Sequence, residues 1–255
     1  MKKILLSVGC LLFAGSLFAQ NARFITSGTV EFNKTVNVYA LIKKQLNGDD
    51  EAILQQLFDS YKKDHPQFKV LKSTLTFSDS RTLFTPIEDE VSNQRFFSLP
   101  MADQNNIVYT NLATEQSIIQ KKVFEETFLL KDSTRKIHWK ITDETREIAG
   151  YTCRRANAIV MDSIYVVAFY TDKIHVSGGP ETFTGLPGMI LGVALPHENV
   201  TWFATKVTDM TIDDKALTPP KKGKPVNNQS LKTTLQPVIQ NWGNSAQIWL
   251  KAFLL

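Results

Sequence analysis

The chain has 255 residues, of which 43% are hydrophobic, 21% charged and 10% aromatic, with a formal net charge of +4. That composition excludes a disordered, collagen-like or polytopic membrane protein. The excess of cations is too small and too dispersed to make nucleic acid a partner.

Residues 1–19 read as a cleaved export signal. Lys2 and Lys3 form a short positive region, Ile4 to Phe18 is apolar but broken by Gly9 and Gly15, and Ala19-Gln20 offers a cleavage point. Leu17 is large for its position before that point. Lipoprotein anchoring through Cys10 is the weaker alternative, because Ser7-Val8-Gly9-Cys10 lacks the usual leucine. A periplasmic location follows as the expectation. The sequence holds 2 cysteines, so loss of Cys10 leaves Cys153 without an internal disulfide partner.

In the remainder, residues 20–214 are expected to form one mainly β domain. Val30, Phe32, Val36 and Val38 alternate with polar residues from Gly28 to Ala40, as in an opening hairpin. From Asp50 the period changes. Ile53, Leu54, Leu57, Phe58 and Tyr61 share one helical face, Asp49 can cap the start, and Pro66 ends the run. Alternation returns at Leu71, Ser73, Leu75 and Phe77. It continues through Ile107–Leu112, Ser117–Phe124, Glu126–Leu130, Ile137–Ile141, Tyr151–Met161, Ile164–Thr171 and Val200–Val207. The short connections, with a tight turn at Asp162-Ser163, favour antiparallel neighbours. The expected fold is therefore α+β but mainly β. It is a large curved antiparallel sheet or open barrel with one N-terminal covering helix and a short C-terminal appendage.

Residues 215–255 form that appendage. Pro219, Pro220, Gly223 and Pro225 with Lys221, Lys222 and Lys224 read as an extended basic linker. Trp242, Ile248, Trp249, Leu250, Phe253, Leu254 and Leu255 follow as an apolar tail that docks on the sheet or makes peripheral contact with a membrane or partner.

Candidate chemistry is sparse. Nucleophile-elbow, zinc-protease, C-x-x-C and phosphate-loop motifs are missing from the sequence. No catalytic residue, metal site or cofactor is assigned. His65, His138, His175 and His197 are scattered. Cys153 precedes Arg154 and Arg155, whose charges favour a thiolate, although a lone strand cysteine is more often a packing residue. Gly178, Gly179, Pro180, Phe183, Gly185, Leu186, Pro187 and Gly188 form a glycine-proline loop. Unpaired N–H groups there could meet an anion or a peptide carboxylate, or the loop could simply plug the end of the fold.

The run Ile148-Ala149-Gly150-Tyr151-Thr152-Cys153-Arg154-Arg155-Ala156 is followed by Ala168-Phe169-Tyr170-Thr171, Gly179-Pro180 and Gly185-Leu186-Pro187-Gly188-Met189-Ile190-Leu191. These blocks resemble the GLPGLI family of exported bacterial proteins, with Met189 for the second signature leucine and Phe169 for the usual tryptophan. The resemblance implies a signal peptide, a β-rich domain and gene neighbourhood with TonB-dependent receptors, but no established activity.

The combined expectation is a periplasmic, non-enzymatic binding or accessory protein serving an outer-membrane receptor or another envelope protein. The alternatives are a thiol-dependent enzyme using Cys153 with His175 or another residue as base, and a metal-handling protein with His175, Met189 or Cys153 as soft ligands.

Overall fold

A computed structural model describes residues 24–46, 51–87 and 97–255. Residues 1–19, expected to be an export signal, with Cys10 among them, and Asp49 lie outside the described residues. Strand β1 (Ser27–Asn37) runs into the short helix α1 (Val38–Lys43), and helix α2 (Glu51–Asp64) follows. The antiparallel run comprises β2 (Phe68–Ser78), β3 (Arg81–Pro86), a helical turn α3 (Pro100–Asp103), β4 (Ile107–Asn111), β5 (Gln116–Val123) and β6 (Glu126–Ser133). It resumes as β7 (Lys140–Ile148), β8 (Tyr151–Val160), β9 (Ile164–Thr171), β10 (Met189–Leu195) and β11 (Val200–Asp209). The chain then contributes β12 (Lys224–Val226) and two helices, α4 (Asn228–Ile239) and α5 (Asn244–Leu254).

The twelve strands of the described residues join one sheet in the order β12-β6-β5-β4-β3-β2-β1-β11-β10-β9-β8-β7. Its pairs are antiparallel except β12 on β6. The fold is mainly β, a large open curved sheet with few helices. Curvature is visible at β7 and β11, which touch although three strands separate them in the ladder. Arg146 of β7 lies 4.7 Å from the ring centre of Phe203 on β11.

The opening alternation does not make its own hairpin. β1 is a single central strand between β2 and β11, and its period-2 pattern ends where Asn37 caps α1 by accepting from the Ala40 amide at 3.1 Å. Helix α2 buries Phe58 against Tyr39 of α1, with ring centres 5.5 Å apart, while Ile53 and Leu57 stay exposed. Ile137-His138-Trp139 precedes β7 without joining the ladder. The turn between β8 and β9 places both Met161 and Asp162 at positive φ, which suits a hairpin's right-handed twist.

The C-terminal segment departs most from expectation. Lys224–Val226, inside the expected linker, adds a parallel edge strand, where Pro225 needs no N–H for a further neighbour. The apolar tail is two helices whose Leu231, Leu235, Ala252 and Phe253 enter the main core. Asn227 and Ser230 form a reciprocal cap at the start of α4. Phe124, held at φ +54 in the β5–β6 turn, stacks with Trp249 and meets Trp242 and Phe253 edge-on at 5.1–5.6 Å, pinning the helix pair to the sheet. No helix among the described residues is long and apolar enough to cross a membrane.

Candidate functional site

The glycine-proline loop is mostly interior. Phe183 and Leu186 are fully buried, Gly178, Gly179, Pro180 and Gly188 are buried with them, and only Gly185 and Pro187 face solvent. Several of its amides are turned inward to carbonyls of the fold. Phe183 N–H donates to Pro180 O, Gly185 to Ser177, Gly188 to Leu186, Met189 to Ile174 and Ile190 to Gly178, at 2.8–3.2 Å. The glycines answer to crowding. A Cβ on Gly179 would lie 2.7 Å from the Phe183 carbonyl oxygen and 2.8 Å from Ile190 Cβ. Trp139 Nε1 donates to Thr184 O at 2.9 Å and fastens the loop from the β7 side.

A thiolate at Cys153, the weaker of its two readings, is not supported either. The residue is fully buried, its thiol donates to Tyr151 O at 3.4 Å, and burial, then Glu147, pushes the thiol up to about 12. The arginines that follow it turn to acids on β7: Arg154 lies 3.6 Å from Asp143 and Arg155 2.6 Å from Glu144. His175 is exposed and stacks on Phe24 at 3.8 Å, whereas Met189 is fully buried at the start of β10. No group of three His, Cys, Asp or Glu among the described residues is placed to hold a metal ion.

The loop instead delivers one acid into the interior. Glu181 sits at φ +52 between Pro180 and Phe183, buried, and its Oε2 accepts from Asn106 Nδ2 at 3.0 Å. Burial raises its pKa, and Lys34, Asn106 and Lys121 pull the other way. Lys34 on β1 is 5% exposed and Lys121 on β5 is 3% exposed. Burial brings each ammonium down to about 8 against the attraction of Glu181. Lys34 Nζ donates to Gln104 O at 2.9 Å and Ala102 O at 3.4 Å, and Lys121 Nζ donates to Phe253 O at 2.6 Å.

The sequence carries a signal for these lysines. Lys34 shares its face with Val30, Phe32 and Val36, and Lys121 with Ile119 and Val123, so each occupies a core position by alternation. Glu181 has no such signal, because loop residues lack a period. Asn106, just before β4, is equally silent.

Above this interior group opens a cleft of about 650 Å³ between the sheet and the α4–α5 pair. Lys121 and Thr182 reach it from below. Arg135, Lys136, Lys232 and Lys251 add positive charge at its walls against the single acid Asp162. Ser117, Ser133, Ser163, Gln229 and Gln247 supply neutral polar groups, and Ile119, Leu130, Met161 and Leu250 supply apolar surface. Arg135 Nη2 donates to Leu254 O at 2.7 Å, and Thr182 Oγ1 donates to Leu255 O at 3.0 Å. Burial lowers the Arg135 pKa, and its Nε is buried without a hydrogen-bond partner.

No curated protein matches the chain. Two solved structures are similar to it. A structure of PNGF-II in the P21 space group has a TM-score of 0.51 at 17% identity, covering 82% of this chain and 33% of that one. A structure of PNGF-II in the C2 space group has a TM-score of 0.50 at 15% identity, covering 81% and 32%. At such identities the likeness concerns the fold alone, and this chain spans about a third of the length of those structures. A family model described as "N-glycanase peptide, N-terminal domain" matches residues 72–232, well over half of the sequence, and the chain belongs to that family.

Proposed function

We propose that this chain is an exported, non-catalytic binding module whose cleft receives a polar ligand the size of a short oligosaccharide, as an accessory to a larger glycan-handling or outer-membrane uptake system. The observation that carries this reading is the cleft's lining. A volume of about 650 Å³ with hydroxyl and amide groups interleaved with apolar patches suits a polyhydroxylated ligand that offers both hydrogen bonds and apolar ring faces. The family's name adds the glycan: a domain that accompanies an N-glycanase is well placed to hold glycan-bearing material. Export, and service to a TonB-dependent receptor, rest on the signal-like residues 1–19 and the GLPGLI resemblance. Calorimetric titration with an N-linked glycopeptide, and separately with its released glycan, tests the reading. Saturable binding is expected, weakened at least tenfold by Lys232→Glu with Gln247→Ala. Both residues are exposed on α4 and α5, so the fold tolerates the change. Absence of binding to both probes, or binding indifferent to the double variant, overturns it.

A further inference from the structure

The charges around the cleft are unevenly answered. Lys136 and Lys251 pair with acids that do not line it, Glu115 at 3.2 Å and Glu198 at 3.4 Å. Asp132, also outside the lining, accepts from the Asn228 amide at 2.9 Å and is engaged at the start of α4. Glu181 stays below the cleft, where it shares a separate small cavity of about 10 Å³ with Lys34, Asn106 and Trp202. Asp162, the one acid in the lining, is exposed at the β8–β9 turn. Three cations remain. Among the described residues, Arg135, Lys232 and Lys121 stand in no ion pair with a carboxylate.

Arg135 carries the imbalance furthest. It is half-buried, its Nη2 donates to the carbonyls of Leu254 and Leu255, and its Nε has no partner. Burial lowers its pKa and no acid pulls it back. Lys121 is pushed down first by burial and also by Arg135, so two cations at the cleft repel one another. Like charges between walls of low dielectric focus a positive field into the space they enclose. The first turn of α4 adds to it, because Asn228 and Gln229 line the cleft and that turn holds no acid.

We propose that the cleft selects N-glycans whose branches end in a sialic acid, with the sugar carboxylate received between Arg135 and Lys232. This rests on the glycan reading above and names which glycans the cleft prefers. The carboxylate supplies the negative charge that the lining lacks, and its oxygens accept charge-assisted hydrogen bonds from a guanidinium and an ammonium. The neutral rings behind it meet the hydroxyl, amide and apolar groups of the same cleft. A neutral glycan makes those contacts too, but leaves the repulsion between Arg135 and Lys121 in place.

Calorimetric titration of the full chain with a sialylated N-glycopeptide, and with the same glycopeptide after removal of its sialic acid, tests this. The sialylated form is expected to bind about tenfold tighter. Arg135→Gln and Lys232→Gln are each expected to cut that ratio to about threefold or less. Because Arg135 also holds Leu254, the exposed Lys232 gives the decisive variant. Lys221→Gln with Lys222→Gln removes two charges outside the lining and should leave the ratio as it was. Equal affinity for the two glycopeptides overturns the selection and leaves the glycan reading standing, whereas binding of neither overturns both. A ratio undiminished in Lys232→Gln, or lost in the Lys221 and Lys222 variant, also overturns the selection, since the preference would then come from diffuse charge.

Discussion

Lys34 and Lys121 stand on strands separated by β2, β3 and β4, yet both act on the carboxylate of Glu181. Only a strongly curved sheet brings those two core positions together. The arrangement places two cations and one anion where burial disfavours charge of either sign.

Stability should therefore rise with pH in the alkaline range. Lys34 faces Glu181, Asp103 and Lys69, and Lys121 faces Glu181 and Arg135, with burial as the dominant influence on both. Each lysine binds its proton less tightly in the fold, near 8, than the ordinary 10.5 of the unfolded chain. Between those values the unfolded state holds more protons, so raising the pH favours the fold, by about 3 kcal/mol per free lysine over the whole window. Glu181 works in the opposite sense at lower pH, because its raised pKa favours the fold below its folded value and that gain is lost as pH rises through it. Above about 9 Cys153 works against this, because the unfolded chain gives up its thiol proton where the fold, near 12, keeps it; urea midpoints should therefore climb chiefly from pH 7.5 to 9, and Lys121→Met should flatten that climb. A flat wild-type profile would contradict buried, protonable lysines.

Cys153 should behave as an inert thiol. With the side chain fully buried and its pKa pushed to about 12, iodoacetamide at pH 8 is expected to leave the folded protein unlabelled and to modify it completely in denaturant. Rapid labelling of the native protein, followed by mass spectrometry, would restore the thiol-enzyme alternative.

The loop glycines should separate into two classes. Gly179→Ala drives a methyl into the Phe183 carbonyl and Ile190, and is expected to cost about 3 kcal/mol or more. Gly185→Ala meets nothing nearer than Trp139 Nε1 at 3.8 Å, so only its φ of +91 resists the change, at about 1 kcal/mol. Denaturation of the two variants side by side checks this. Equal losses would show that crowding is not what selects glycine at Gly179.

The broad fold was legible because alternation is local. Ile164–Thr171 coincides with β9, and the 3.6-residue spacing from Ile53 to Tyr61 lies within α2. β3 and β10 were not separated from their surroundings: Arg81–Pro86 is short and polar, and Met189–Leu195 is apolar on both faces, which erases a period of two. Pro225 and the surrounding lysines read as linker because nothing local announces that β6 has an open edge to fill. The interior charges were half legible. Lys34 and Lys121 break an apolar pattern in phase, but the acid between them comes from a loop whose glycines and prolines drew attention away from Glu181. The cleft could not be read at all, since its walls are brought together from β5, β6, the β8–β9 turn and two helices.

One feature of the topology governs how the molecule can be made. β1 hydrogen-bonds along nearly its whole length to β11, and the cavity beneath the cleft closes only when residues of α5 settle over it. A growing polypeptide that has reached β6 thus has a half-sheet with an unzipped flank and no lid on its charged interior. Ring closure over such long stretches of chain is slow. Synthesis should outrun folding, leaving an extended intermediate, and a pulse-chase protease assay should find resistance arriving only after the helical hairpin has been made.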